Sequence, residues 1–240
     1  MLDDQGRNVN EPLQLGARHC RFHLQLFCAK PAGNTDCLLF YLDFETSGLE
    51  VLSHHIVEIG VLCENGACFS TVVRPPVFSE QIPVHGISNE ELRQGPSFVD
   101  AFQRMHRFCN NLVETALTPD DSSGDEVAVE TLREDPPQIL VCAHIGMKFD
   151  FPFLCNECIR NDIDIGCLAD WLFADTLEVF RAMDAERYGG CAKLQCILRN
   201  CGPTADLHAH RALHDCRALR AVLESVAASL GVSPKFLLRP

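Results

Sequence analysis

The chain has no run of eighteen or more apolar residues, so no segment reads as a membrane-spanning helix. It has no apolar signal core near its first residues, which include Asp3 and Asp4, and this argues against secretion. The mildly basic, amphipathic stretch from Arg18 to Lys30 reads as a plain extension rather than a targeting sequence. Positive charge is scarce: 20 Lys and Arg face 33 Asp and Glu, a net charge of −13. That excludes broad, charge-driven nucleic-acid binding, because phosphate contacts normally need clustered Lys and Arg. It leaves room for a small site that grips one chain end, where divalent metals supply the positive charge. The single C-x-x-C, Cys155 to Cys158, has no second pair spaced to complete a zinc site. There is no internal repeat.

Cysteine is abundant: fourteen residues, many in apolar runs, such as Cys63, Cys142 and Cys201. Without a signal peptide they read as free thiols in a reducing compartment inside the cell, cytoplasm or nucleus. Hydrophobic residues make up 47% of 240, enough for one domain with a full core and a cleft. Residues 1–36 have weak periodicity and read as a partly disordered N-terminal extension, with a short strand or helix near Phe22 to Phe27. The folded domain is expected over 37–232, followed by a C-terminal tail at 233–240. Within it, residues 118–137 carry seven acids among Ser, Gly and Pro, and read as a disordered acidic insertion.

Strands are expected at Cys37 to Asp43, Ile56 to Cys63 and Ala67 to Val73, with a hairpin turn at Asn65-Gly66. Helices follow from Ser88 and over Ser97 to Ala116, where apolar residues recur at helical spacing. Then come a central strand (Gln138 to Ala143), a helix (Phe151 to Asn161), a strand (Leu168 to Asp175), a helix to Met183, and two last helices (Cys191 to Arg199; His210 to Leu230). A meander followed by alternating elements implies an α/β protein with a mixed sheet flanked by helices.

Three segments carry chemistry. Asp43-Phe44-Glu45 ends the first strand, where alternation points both acids to one face. Two adjacent carboxylates repel unless a cation neutralises them, and hard oxygen ligands suit Mg²⁺ or Mn²⁺. Alone, the pair reads as a solvated strand end. Asp150 follows a buried strand and a Gly-containing turn. It reads first as a helix cap, and also as a carboxylate facing the cleft at the strand's carboxyl end. His210 and Asp215 are five residues apart, about 140° round a helix, so they converge only if His210 precedes that helix. Alone, this segment reads as a His-rich surface helix.

Together, D-x-E-T, then A-H-x-G-x-x-F-D with F-L after it, then H-x-A-x-x-D, resemble the DEDD exonucleases of the histidine-bearing, DnaQ-like subclass. The resemblance spans about residues 38 to 230, and its layout is similar to the three-prime repair exonuclease branch. It implies a ribonuclease H-like five-stranded sheet and a 3′-to-5′ exonuclease acting on single-stranded or frayed 3′ ends, DNA favoured over RNA. It implies that Asp43, Glu45, Asp150 and Asp215 hold two Mg²⁺ ions, with Mn²⁺ as a substitute. By the same resemblance His210 is the general base, with nearby His208 and His214 as rivals. Thr46, Ser47, Gly48, Leu49, His144, Ile145 and Phe149 would contact substrate, Leu49 as a wedge against the last base. Two positions depart from the pattern: Ile145 stands where Asn is common, and Ser47 where Gly is frequent. Competing readings are an RNA-trimming enzyme and a silent end-binding scaffold. No membrane partner is implied, and a homodimer is left open.

Overall fold

The computed structural model of the protein describes residues 37–78, 85–116, 137–182, 193–201 and 211–238. The N-terminal extension, the acidic insertion except Pro137, and the stretch holding His208 and His210 lie outside the described residues.

Strands β1 (Cys37–Thr46), β2 (Ile56–Cys63) and β3 (Cys68–Val72) form the expected antiparallel meander. Its tight turn is at Asn65-Gly66. Gly66 takes φ +94°, open to glycine, and Asn65 Oδ1 accepts from the Ala67 N–H. β4 (Gln138–Ala143) and β5 (Trp171–Asp175) add in parallel, giving the order β3-β2-β1-β4-β5. β1 runs three residues past its expected end at Asp43, because β2 stays paired with it down to Ile56 across a bulge at Glu45 and Thr46. β5 begins later than expected, since Ile165–Leu168 form a 3-10 turn capped by Asp164.

The helices are α1 (Asn89–Gln94), α2 (Phe98–Thr115), α3 (Asp150–Arg160), α4 (Thr176–Ala182), α5 (Leu194–Cys201), α6 (Ala212–Leu230) and α7 (Pro234–Leu237). Ser88 and Ser97 cap α1 and α2, accepting from the N–H groups of Glu91 and Asp100. α6 stops at Gly231, left-handed at φ +66°. Within the C-terminal tail, α7 lies against the sheet: Lys235 Nζ donates to the Cys37 carbonyl at 2.6 Å, and Leu238 is buried. Among the described residues no helix is long and apolar enough to cross a membrane. Nine cysteines there are free thiols, but Cys196 is disulfide-bonded, against the expectation.

Period-2 alternation divides the core. Phe40, Leu42 and Phe44 of β1 pack with α2 and α3 on one face. Leu39 and Tyr41 pack with α6 on the other. Asp43 and Glu45 continue the second series, so they face α6.

Candidate active site

α6 lies directly across β2. A Cβ on Gly60 would overlap the backbone of Ala212 and Leu213, so only glycine allows this approach. Cys216 Sγ donates to the Gly60 carbonyl at 3.3 Å. Gly60 pairs with Asp43 in the sheet, so the first turns of α6 sit over Asp43. Asp215 lies in those turns. One carboxylate oxygen from each of Asp43, Glu45 and Asp215 lies within 4.8 Å of the other two. Gln195 Nε2 of α5 donates to Asp215 Oδ1 at 3.3 Å.

Asp150 is not one of that group, but it bonds to β1 beside Asp43 and its charge acts on Asp43. β1 outruns its pairing with β4, which ends at Tyr41 and Cys142, so the Phe44 N–H has no ladder partner on that side. Asp150 Oδ1 accepts from it at 3.1 Å, 106 residues away in the chain. This corrects the capping reading: the N-cap position of α3 is Phe149 and no side chain caps it. The physical reason is that the buried β1 amide needs an acceptor.

The acids hold their protons tightly. Burial pushes Glu45 up to about 8, aided by the charges of Asp215 and Glu58 and opposed by Arg211. Asp150 is also pushed up to about 8, chiefly by burial, against the hydrogen bond from Phe44. Asp43 is raised well above the usual carboxylate range by burial, then by Asp150 and Asp215. Such mutual repulsion among oxygen donors is what a divalent cation relieves, so the donor set fits Mg²⁺ or Mn²⁺.

Glu58, missed in the sequence, stands opposite Glu45 and is 2% exposed. Arg211 grips it with two nitrogens, Nε at 3.0 and 3.1 Å and Nη2 at 2.8 Å, and the Ala212 N–H donates to it at 3.0 Å. The pair fixes where α6 begins. A charge inside a fully buried strand, two residues before an interior glycine, was the signal for both Glu58 and Gly60. Arg211 is extended, at φ −131° and ψ 124°, so the helix starts after position 210. His210 itself lies outside the described residues. His214 is exposed on α6.

The loop after β1 holds the other expected residues. Thr46 Oγ1 donates to the Gly48 carbonyl at 2.7 Å. Ser47 Oγ accepts from the His55 N–H at 2.9 Å, and the Ser47 N–H donates back to the His55 carbonyl. Leu49 is 79% exposed. Ile145 adopts φ +65° in the turn after β4. Asp175, also missed, accepts from the N–H groups of Ile145, Met147 and Leu177. His144 Nδ1 lies 3.0 Å from Thr176 Oγ1, and Phe149 packs on Phe153 at the core's rim.

A mixed sheet in this order, flanked by helices, is a ribonuclease H-like fold of the kind found in exonucleases. No protein-family model matches the chain. The chain is 26% identical over 204 residues to Exonuclease DPD1, chloroplastic/mitochondrial, of Arabidopsis thaliana. That match covers 80% of this chain but 56% of the relative, so the chain spans little more than half its length. The zinc-bound complex of E. coli Exonuclease I with single-stranded DNA aligns with TM-score 0.56 and 15% identity, over 82% of this chain and 41% of that one. A 3′-exonuclease recognising the 3′ end of a histone mRNA stem-loop aligns with TM-score 0.57 and 16% identity, over 90% of this chain and 72% of that one.

Proposed function

We propose that this protein is a metal-dependent 3′-to-5′ exonuclease of the histidine-bearing DnaQ-like type. It would release nucleoside 5′-monophosphates from single-stranded or frayed 3′ ends, DNA in preference to RNA. The observation that carries this reading is the convergence of Asp43, Glu45 and Asp215 within 4.8 Å, with buried Asp150 raising the Asp43 carboxyl from beside them. These four acids would hold two Mg²⁺ ions, or Mn²⁺. When bound, such ions supply positive charge to the phosphate and acidify the attacking water. His210 would take the proton from that water, a role a neutral imidazole fills near pH 7. The described helix begins at Ala212, and a His210 ahead of it would not be bound by the 140° separation within a helix. The Thr46 to Leu49 loop would receive the terminal nucleotide. A site this small suits a chain of net charge −13, since it grips one end rather than a long backbone.

The relative named an exonuclease supports this reading, as do neighbouring structures holding oligodeoxynucleotides. A reducing compartment inside the cell would suit the nine free thiols among the described residues, with the disulfide-bonded Cys196 standing against it. The test is release of mononucleotides from 3′-labelled single-stranded DNA, duplex DNA and RNA. Asp215→Ala and EDTA should each abolish it, single-stranded DNA should be cut faster than RNA, and His210→Ala should lose rate while keeping metal affinity. Wild-type protein inert on every substrate, with Mg²⁺ or Mn²⁺, defeats the proposal.

A further inference from the structure

We propose that Glu157 and Arg160 of α3 are positioning residues for the terminal-nucleotide subsite, locking the 47–55 loop where it presents Leu49 to the last base. The inference rests on the exonuclease reading above. The loop leaves β1 and returns as β2. Val51 packs on the core, while Leu49 and Leu52 stand 79% and 65% exposed. Its backbone is held instead from α3. Arg160 Nη1 donates to the His54 carbonyl at 2.6 Å and Nη2 to the Val51 carbonyl at 2.9 Å. Asn156 Nδ2 also reaches the Val51 carbonyl, at 2.6 Å. Glu157, 3% exposed, accepts from Arg160 at 2.8 Å and lies 2.9 Å from His55 Nδ1.

Ion pairs this buried cost desolvation and are weak evidence for stability alone. Loop carbonyls at a surface can be satisfied by water, so the network's consequence is geometric. Asp150 and Glu157 are seven residues apart, about 20° short of two full turns, and share one face of α3 about 10 Å apart along its axis. At one end α3 is bonded to β1 through Asp150 and Phe44. At the other it holds the loop that β1 runs into. One rigid helix therefore sets the height of Leu49 relative to the acids. A displacement near 1 Å at such a contact is enough to cost substrate positioning.

The experiment is Arg160→Gln, alone and combined with Leu49→Ala, on 3′-labelled single-stranded DNA with Mn²⁺ titrated. Arg160→Gln should raise KM about tenfold and lower kcat less than about threefold, with half-maximal Mn²⁺ within about twofold of wild type. The double variant should be no worse than the worse single one, because both act through the same contact. Amide exchange over 47–55 should quicken while β1 and β4 stay protected. Glu157→Gln, which keeps the shape and an acceptor, should show a weaker form of the same pattern if Arg160→Gln fails to fold. An additive double variant, a loss in kcat with a higher Mn²⁺ requirement, or an unchanged loop exchange overturns the proposal. Wild-type protein inert on all substrates removes the nuclease reading and this inference with it.

Discussion

At position 145 a β-branched residue occupies a left-handed conformation, φ +65°. Side chains with a branched Cβ crowd the backbone there, whereas Asn tolerates it through local hydrogen bonding. The sequence showed Ile145 only as a departure from the Asn common at that position. The structure adds a backbone reason for that Asn. The strain is held by Asp175, whose carboxylate takes the Ile145 and Met147 N–H groups of the turn, and by the Ile145 carbonyl, which accepts from Lys148 and Phe149. Ile145→Asn should therefore stabilise the protein by roughly 1 kcal/mol, seen as a higher Tm in thermal denaturation. A lower Tm would mean that the packing of the isoleucine side chain outweighs the backbone strain.

Between elements, the decisive contact is α6 on β2. Backbone meets backbone at Gly60, so neither side can yield by rotating a side chain. Gly60→Ala should cost about 1–3 kcal/mol as α6 is forced outward. It should lower the proposed nuclease activity beyond the loss of folded protein, because Asp215 moves with the helix. Denaturant melts and specific activity on the same preparation check this, and a variant with wild-type values for both would refute the close approach. Five strands and the cores of most helices were legible from apolar periodicity. The Glu58 and Arg211 pair was not, because its members lie 153 residues apart and only the packing of α6 brings them together. The α3 clamp on the loop after β1 was hidden for the same reason, spanning more than a hundred residues.

Across the whole molecule, acid outnumbers base, and part of that excess is gathered at the carboxyl end of the central strand, β1. Glu45 and Asp150 have folded values near 8 against ordinary values of 4.5 and 3.8. Between those limits the folded chain holds protons that the unfolded chain has released. The stability they contribute is present below about pH 4 and is lost as pH rises through 8. In EDTA, Tm should therefore fall from pH 5.5 to pH 8. Added Mg²⁺ should raise Tm more at pH 8 than at pH 5.5, because it binds the ionised acids of the folded state. A Tm in EDTA that climbs across that range would show that the cluster does not govern the response.

By itself the sequence determined the order of the elements, the meander, and the three segments whose acids lie at the carboxyl ends of β1 and β4 and in the first turns of α6. Those follow from side-chain periodicity and turn chemistry, which act over a few residues. The structure alone decided that Asp150 bonds to β1 instead of capping its helix, that Glu58 is neutralised by Arg211, and that Gly60 lets Asp215 approach Asp43. Each of these joins residues more than a hundred positions apart. A carboxylate's partner and its proton affinity depend on what packs against it, and that is fixed only when the sheet and helices close around the site.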